Sequence, residues 1–169
     1  EGIIVAINHW VDAKTGKVLL IERRTLKILP PKDNATFLIW ESELVANEEL
    51  SLAGAQYNGL GIRFARSMDG GNGLNSKGIG DIKRANGDKA NWCAYFKKVN
   101  GMQYCVAIFS DEKNTRHPVP FFAMNQPFGF ISAAPTFYEP LRLKEKETVK
   151  LRYCIVTFAG DVTANRVQE

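Results

Sequence analysis

Residues Trp92 to Phe109 read WCAYFKKVNGMQYCVAIF, and this run decides the fold. Asn100-Gly101 separates two apolar-rich runs, Trp92–Val99 and Met102–Phe109, and Asn-Gly is the dipeptide that a two-residue hairpin turn favours. Closing the turn there sets Phe96, not Cys93, opposite Cys105. Side chains alternate faces along a strand, so the sulfurs of Cys93 and Cys105 point to opposite sides and form no disulfide. The three cysteines (Cys93, Cys105, Cys154) are an odd number at no metal-ligand spacing. They read as small apolar residues, buried or half-buried.

Upstream of the hairpin, Ile3–Val11 reads as a strand, Asp12–Gly16 as a turn and Lys17–Leu29 as a second strand. Pro30-Pro31-Lys32-Asp33-Asn34 is expected to stop that strand and turn the chain. In Thr36–Ala46, Phe37, Ile39, Glu41 and Glu43 alternate with Leu38, Trp40, Ser42 and Leu44, which is the strand period. The Glu-rich text from Trp40 to Leu50 offers a helix alternative, and the β-branched and aromatic residues before it favour a strand. Ser51–Tyr57 and Leu60–Arg66 are short extended pieces joined at Asn58-Gly59. Asp69–Gly80, with glycines at 70, 71, 73 and 78, reads as a flexible loop. Gly71-Asn72-Gly73 is not followed by a helical pattern, which removes a dinucleotide fingerprint.

Downstream, Ala107–Tyr138 contains Pro118, Pro120, Pro127 and Pro135, which exclude a regular helix. The segment collects Arg, His, Asn and aromatic residues on backbone expected to be irregular, the setting in which binding groups concentrate. Thr148–Phe158 is a last strand with Val149, Leu151, Tyr153 and Ile155 facing inward. Asp161–Gln168 suits a short C-terminal helix. Repeated strands and turns, with almost no amphipathic helix, predict an all-β, antiparallel β-sandwich. Residues 1–169 form one such domain or the C-terminal portion of a larger one.

The chain is 45% hydrophobic and 24% charged, with net charge +4. Its Lys and Arg residues are scattered, which gives nucleic-acid binding no support. No apolar run approaches the roughly 20 residues of a membrane span. Strand-like text begins at once, at Gly2-Ile3-Ile4-Val5. Ile3–Val11 is therefore expected to pair with a missing N-terminal segment or a second chain, because an unpaired apolar edge invites association.

The polar residues suggest where chemistry would sit. Glu41 and Glu43 lie two apart on one strand face, which places their carboxyls about 7 Å apart. That is the separation of an inverting glycosidase pair, although a solvated sheet face needs the same residues. Asp111, Glu112, Asn114, Arg116 and His117 form one mixed cluster, in which His117 is the candidate general acid or base. Catalytic candidates are thus His117, Glu41 and Glu43. His9 and His117 stand in no HxH or HExxH arrangement, so no metal ligands are assigned, and no cofactor is named. No Gly-x-Ser-x-Gly elbow appears. Trp92, Tyr95, Phe121, Phe122, Phe128, Phe130, Phe137 and Tyr138 supply flat apolar rings near these polar groups, suited to sugar C–H faces or to a core. Arg63, Trp92, Asn114 and Arg116 are expected, with His117, to lie near one concave surface and contact a saccharide or its carboxylated derivative.

Several segments taken in order carry a resemblance. They are Tyr57-Asn58-Gly59-Leu60-Gly61-Ile62-Arg63-Phe64, then Ala90-Asn91-Trp92-Cys93-Ala94-Tyr95 with Val106-Ala107-Ile108-Phe109. Asn114-Thr115-Arg116-His117-Pro118, Pro127-Phe128-Gly129-Phe130-Ile131 and Glu147-Thr148-Val149-Lys150-Leu151-Arg152-Tyr153 complete the set. Together the chain resembles the C-terminal part of a bacterial family labelled "methane oxygenase PmoA". The resemblance implies a mutarotase-like supersandwich that binds or acts on a sugar or sugar derivative, in a periplasmic or secreted location. It implies no literal methane oxidation. The alternative is a non-catalytic structural or interaction module.

Overall fold

The Asn100-Gly101 turn closes as the sequence predicts, with φ of 50° and 85° at its two central residues. Phe96 stands opposite Cys105 and Cys93 opposite Ile108. The computed structural model describes residues 1–78 and 80–168. In chain order they form β1 (Gly2–Val11), β2 (Val18–Lys32), β3 (Ala35–Ala46), β4 (Leu50–Leu52) and β5 (Leu60–Arg63). A 3-10 turn at Arg66–Met68, β6 (Asn72–Asn75), a single helical turn α1 (Ile82–Ala85) and β7 (Lys89–Ala90) follow. The hairpin is β8 (Trp92–Val99) and β9 (Met102–Ser110), and after it come β10 (Val119–Met124) and β11 (Phe130–Ala133). The chain ends with β12 (Leu141–Leu143), β13 (Thr148–Ala159) and α2 (Ala164–Gln168).

One seven-stranded antiparallel sheet runs β1-β2-β3-β13-β9-β8-β6. A four-stranded sheet, β5-β11-β10-β7, and a two-stranded sheet, β12-β4, complete the β structure. The all-β sandwich read from the sequence is therefore the architecture. Alternation decides what each face buries. Cys93, Tyr95, Ile108, Tyr153 and Ile155 of the large sheet meet Phe121, Ala123, Ile131 and Ala133 of the four-stranded sheet. On the opposite, outer face, Trp92, Ala94, Cys105, Ala107, Val156 and Phe158 cluster with Val167 of α2. A third cluster joins Leu20, Leu44, Ala46 and Val149 to Leu143, with Leu50, Leu52 and Leu141 packed against it. Cys93 and Cys105 thus lie in different cores, both as free thiols. Burial pushes each thiol up to about 12, so both stay protonated.

The structure corrects the reading in three places. Pro30-Pro31 does not stop the second strand: β2 runs on to Lys32, with a register slip between Leu29 and Lys32. The irregularity accommodates residues that cannot donate to the ladder, and the turn falls at Asp33-Asn34, with φ of 50° and 61°. Asp69–Gly80 is not all loop, because Asn72–Asn75 forms β6 at the sheet edge against Cys93–Phe96. Gly71 makes that approach possible: a Cβ there would lie 2.6 Å from the Phe96 carbonyl oxygen. Ala107–Tyr138 is likewise less irregular than expected. It contains β10 and β11, which pair as Phe121 with Ala133 through Met124 with Phe130. Pro120 sits within β10 opposite Lys89 of the two-residue β7, a pairing too short to need many donors.

No helix among the described residues is long and apolar enough to cross a membrane.

Candidate functional site

A cavity of about 490 Å³ opens between the β1–β2–β3–β13 part of the large sheet and the two smaller sheets. Its floor carries Trp10, Glu22, Arg24, Trp40 and Ser42. Leu52 and Leu141 form one wall, and Asn58, Gly59, Pro135 and Thr136 form the other. Strand register brings the floor together. Asn8 stands opposite Glu22 across β1–β2, and Arg24 stands opposite Ser42 across β2–β3. Glu22 and Arg24, two apart, share a face. The sequence does hold a signal for this site: in Leu20-Glu22-Arg24-Leu26 a carboxylate and a guanidinium occupy the apolar period of β2.

Glu22 is 1% exposed and its carboxylate is saturated. Oε1 accepts from Arg24 Nε at 2.9 Å and Ser42 Oγ at 2.7 Å. Oε2 accepts from Arg24 Nη2 at 2.8 Å, Trp10 Nε1 at 3.1 Å and Asn8 Nδ2 at 3.3 Å. Burial is the largest single influence and pushes the carboxyl up. The hydrogen bonds from Arg24, Ser42 and Trp10, with the Arg24 charge, outweigh it and leave the pKa below the ordinary glutamate value. A carboxylate offers about four lone-pair sites, and all are taken. Glu22 is a positioning residue that ties β1, β2 and β3 together. It is not an available base.

Three other features mark the cavity. The Thr136 hydroxyl, on a residue 4% exposed, is a buried side-chain oxygen without a hydrogen-bond partner. Buried polar groups are nearly always paired, so an unpaired one in a cavity wall points to a ligand or water. Gly59 is there because nothing larger fits. Its φ is +154°, and a Cβ would lie 1.9 Å from the Ala133 carbonyl oxygen. Arg24 also sits over the Trp40 ring, 5.7 Å from its centroid.

The residues expected to share one concave surface are divided among several places. Trp92 is buried on the outer face against Phe109. Arg63 is stacked on Phe128 at 3.9 Å, on the edge strand of the four-stranded sheet. Asn114 is a latch: Nδ2 donates to the Arg152 carbonyl at 2.7 Å, and Oδ1 accepts from the Arg152 amide at 2.7 Å. Arg116 donates to the carbonyls of Pro135, Glu139 and Pro140, each at 2.8 Å. His117 Nδ1 lies 3.3 Å from Ser110 Oγ, which also accepts from Asn114. Asn114 and His117 are therefore linked through Ser110, and Arg116 fixes Pro135 in the cavity wall. None of these five lines the cavity itself.

Glu41 and Glu43 face a separate polar hollow that Asn114 also lines. Glu41 is paired with Lys27 and Arg152, each at 3.1 Å, and Glu43 with Lys150 at 3.1 Å. Burial raises the Glu41 carboxyl, and the hydrogen bonds and charges of Lys27 and Arg152 bring it net below its ordinary value. An acid held ionised does not supply a proton near neutral pH. The solvated, ion-paired face is the arrangement that the structure contains.

A family model, described as a family of unknown function, DUF6807, matches residues 1–169. The chain belongs to that family. DUF6807 carries no assigned activity in its description, so the site of this member is read from its own geometry. No curated protein and no solved structure matches the chain. Among the described residues of this DUF6807 chain, no group of three or more His, Cys, Asp or Glu side chains is gathered to hold a metal.

Proposed function

We propose that this chain binds a saccharide in the cavity floored by Trp10, Glu22, Arg24 and Trp40. The observation that carries the reading is two indole rings beside an unpartnered buried hydroxyl, in a cavity whose one lining carboxylate is already saturated. The volume lies within the usual range for small-molecule sites, roughly 300–1,000 Å³. Sugar rings present apolar C–H faces to aromatic rings and hydroxyl edges to groups that donate and accept, which Thr136 and Asn58 do. Binding is favoured over catalysis because Glu22 lacks a free lone pair. The resemblance to the family labelled PmoA and a periplasmic or secreted location belong to this proposal. Titrating the protein with mono- and disaccharides while recording tryptophan fluorescence tests it. Saturable change that is lost in Trp40→Ala supports the reading, and a flat response to the whole panel sinks it.

A second reading, an interaction module, is favoured by β1. Among the described residues its outer edge is unpaired, at the end of the large sheet. Ile3 and Ile4 are each 59% exposed, and Val5, Ile7 and Val11 are also exposed. The strand Gly2–Val11 carries no Asp, Glu, Lys, Arg or Pro, the residues that ordinarily protect an edge. A strand from a second chain would complete the sheet there. Sedimentation across a concentration series, with Ile7→Lys as control, decides whether the second strand is another copy. Association abolished by the lysine supports it, and a monomer at every concentration refutes it.

A further inference from the structure

Resting on the saccharide reading of the cavity, we propose that its ligand is a neutral saccharide, and that Glu22 sets this preference by neutralising Arg24. The cavity is lined by two charged side chains, Glu22 and Arg24. Their exposures differ: the Arg24 side chain is 39% accessible and that of Glu22 1%. A ligand therefore meets the guanidinium, while the carboxylate lies beneath it. Left alone, such a guanidinium would select a carboxylated sugar, because its fork of donors matches a carboxylate. Here one edge of the fork, Nε and Nη2, is already engaged by both Glu22 oxygens, at 2.9 and 2.8 Å.

A uronate approaching the remaining edge would bring a second carboxylate to the same cation. Two carboxylates sharing one site repel, more strongly at low local dielectric than in water. A neutral sugar meets no such penalty. The remaining polar lining suits it: the Thr136 hydroxyl and the Asn58 amide each donate and accept, and the indoles of Trp10 and Trp40 offer apolar area. Glu22 is held in this role by donors from three strands, since Asn8 and Trp10 lie on β1, Arg24 on β2 and Ser42 on β3. The saturation that removes it from proton transfer is what fixes the site's net charge at zero.

The test uses the whole chain and calorimetry. Glucose, galactose and cellobiose are compared with glucuronate and galacturonate at matched ionic strength. At least one neutral sugar is expected to bind, and its uronate about tenfold more weakly or worse, which corresponds to about 1.4 kcal/mol. Glu22→Gln keeps the side-chain shape while exposing the Arg24 charge, so the ratio should move toward the uronate. Should that variant fail to fold, salt dependence in the unaltered chain replaces it. Affinity for the neutral sugar should not fall with added salt, whereas a ligand held by the Arg24 charge weakens as salt screens it. A uronate that binds as tightly as its neutral parent overturns this inference and leaves the saccharide reading standing. Failure of every sugar, neutral and charged, removes the saccharide reading and this inference with it.

Discussion

The indole N–H of Trp10 donates to Glu22 Oε2 at 3.1 Å and, with the Asn8 amide, ties the exposed strand β1 to a buried carboxylate. β1 contributes little else to the core, since Ile3, Ile4, Val5, Ile7 and Val11 all stay exposed. Replacing Glu22 by Ala leaves the buried Ser42 hydroxyl and the more exposed Trp10 indole without their acceptor. The expected loss is about 1–3 kcal/mol of stability, the cost of stranding buried hydrogen-bonding groups. Urea denaturation measures it, and proteolysis should show β1 released first. An unchanged midpoint would mean that the network is incidental.

Acid should weaken the fold in a defined direction. Glu22, Glu41 and Asp111 all have carboxyls held below their ordinary values. For Asp111 the Lys113 amide is the main cause, followed by Arg152. A carboxyl with a lowered folded pKa binds its proton more weakly in the fold than in the unfolded chain. Its contribution is complete above the unfolded value, 4.5 for glutamate, and is lost as pH falls through the lowered folded value. Denaturation midpoints measured from about pH 7 to pH 3 should hold steady and then drop. Glu22→Gln should begin lower and drop less. A midpoint that rises on acidification would contradict the assignment.

The sandwich was legible because it rests on local signals: period-2 alternation, and Asn100-Gly101, which set the hairpin register to the residue. The cavity was not. Trp10, Glu22, Trp40, Asn58 and Thr136 come from separate strands and loops: the pairing of β1 with β2 and β2 with β3 gathers the first three, and the pairing of β5 with β11 brings in the loops that carry the other two. Local composition drew attention to Asn114, Arg116 and His117, because polar residues stand out in a proline-rich segment. Asn114 and Arg116 donate to backbone carbonyls and His117 contacts Ser110, holding that segment in place. Pro30-Pro31 misled for a related reason: proline disrupts a ladder only where its missing donor is needed.

Gly59 shapes the cavity wall through what it lacks. With a Cβ position 1.9 Å from the Ala133 oxygen, Gly59→Ala must displace β11 or its own loop. A destabilisation of at least about 2 kcal/mol is expected, from backbone strain and overpacking acting together. A thermal melt measures this directly. Gly16, which also has positive φ but open space around it, is the control and should cost less as Gly16→Ala.

Arg116 acts on the wall at one remove. Its three carbonyl partners span Pro135 to Pro140, the segment that carries Thr136. Arg116→Ala should lower the melting temperature and weaken sugar binding together, and Arg116→Lys should restore little, because one ammonium does not reproduce the planar fork. Lost affinity with an unchanged melting temperature would instead place Arg116 in contact with the ligand.

Thr136 separates a binding cavity from a packing gap. Its hydroxyl is buried and without a partner, and an unsatisfied buried polar group costs the fold about 1–3 kcal/mol. Thr136→Val keeps the branched shape and removes the oxygen, so the melting temperature should hold or rise. If the hydroxyl is there to meet a sugar, affinity should fall about five- to tenfold, the worth of one neutral hydrogen bond of about 1–1.4 kcal/mol. Stability and affinity would then move in opposite directions in one variant, which general loosening of the wall does not produce. Calorimetry on the best neutral sugar, set beside a melt of the same preparation, reads both. A more stable Thr136→Val protein that binds as well as the parent would show that the hydroxyl does not contact the ligand.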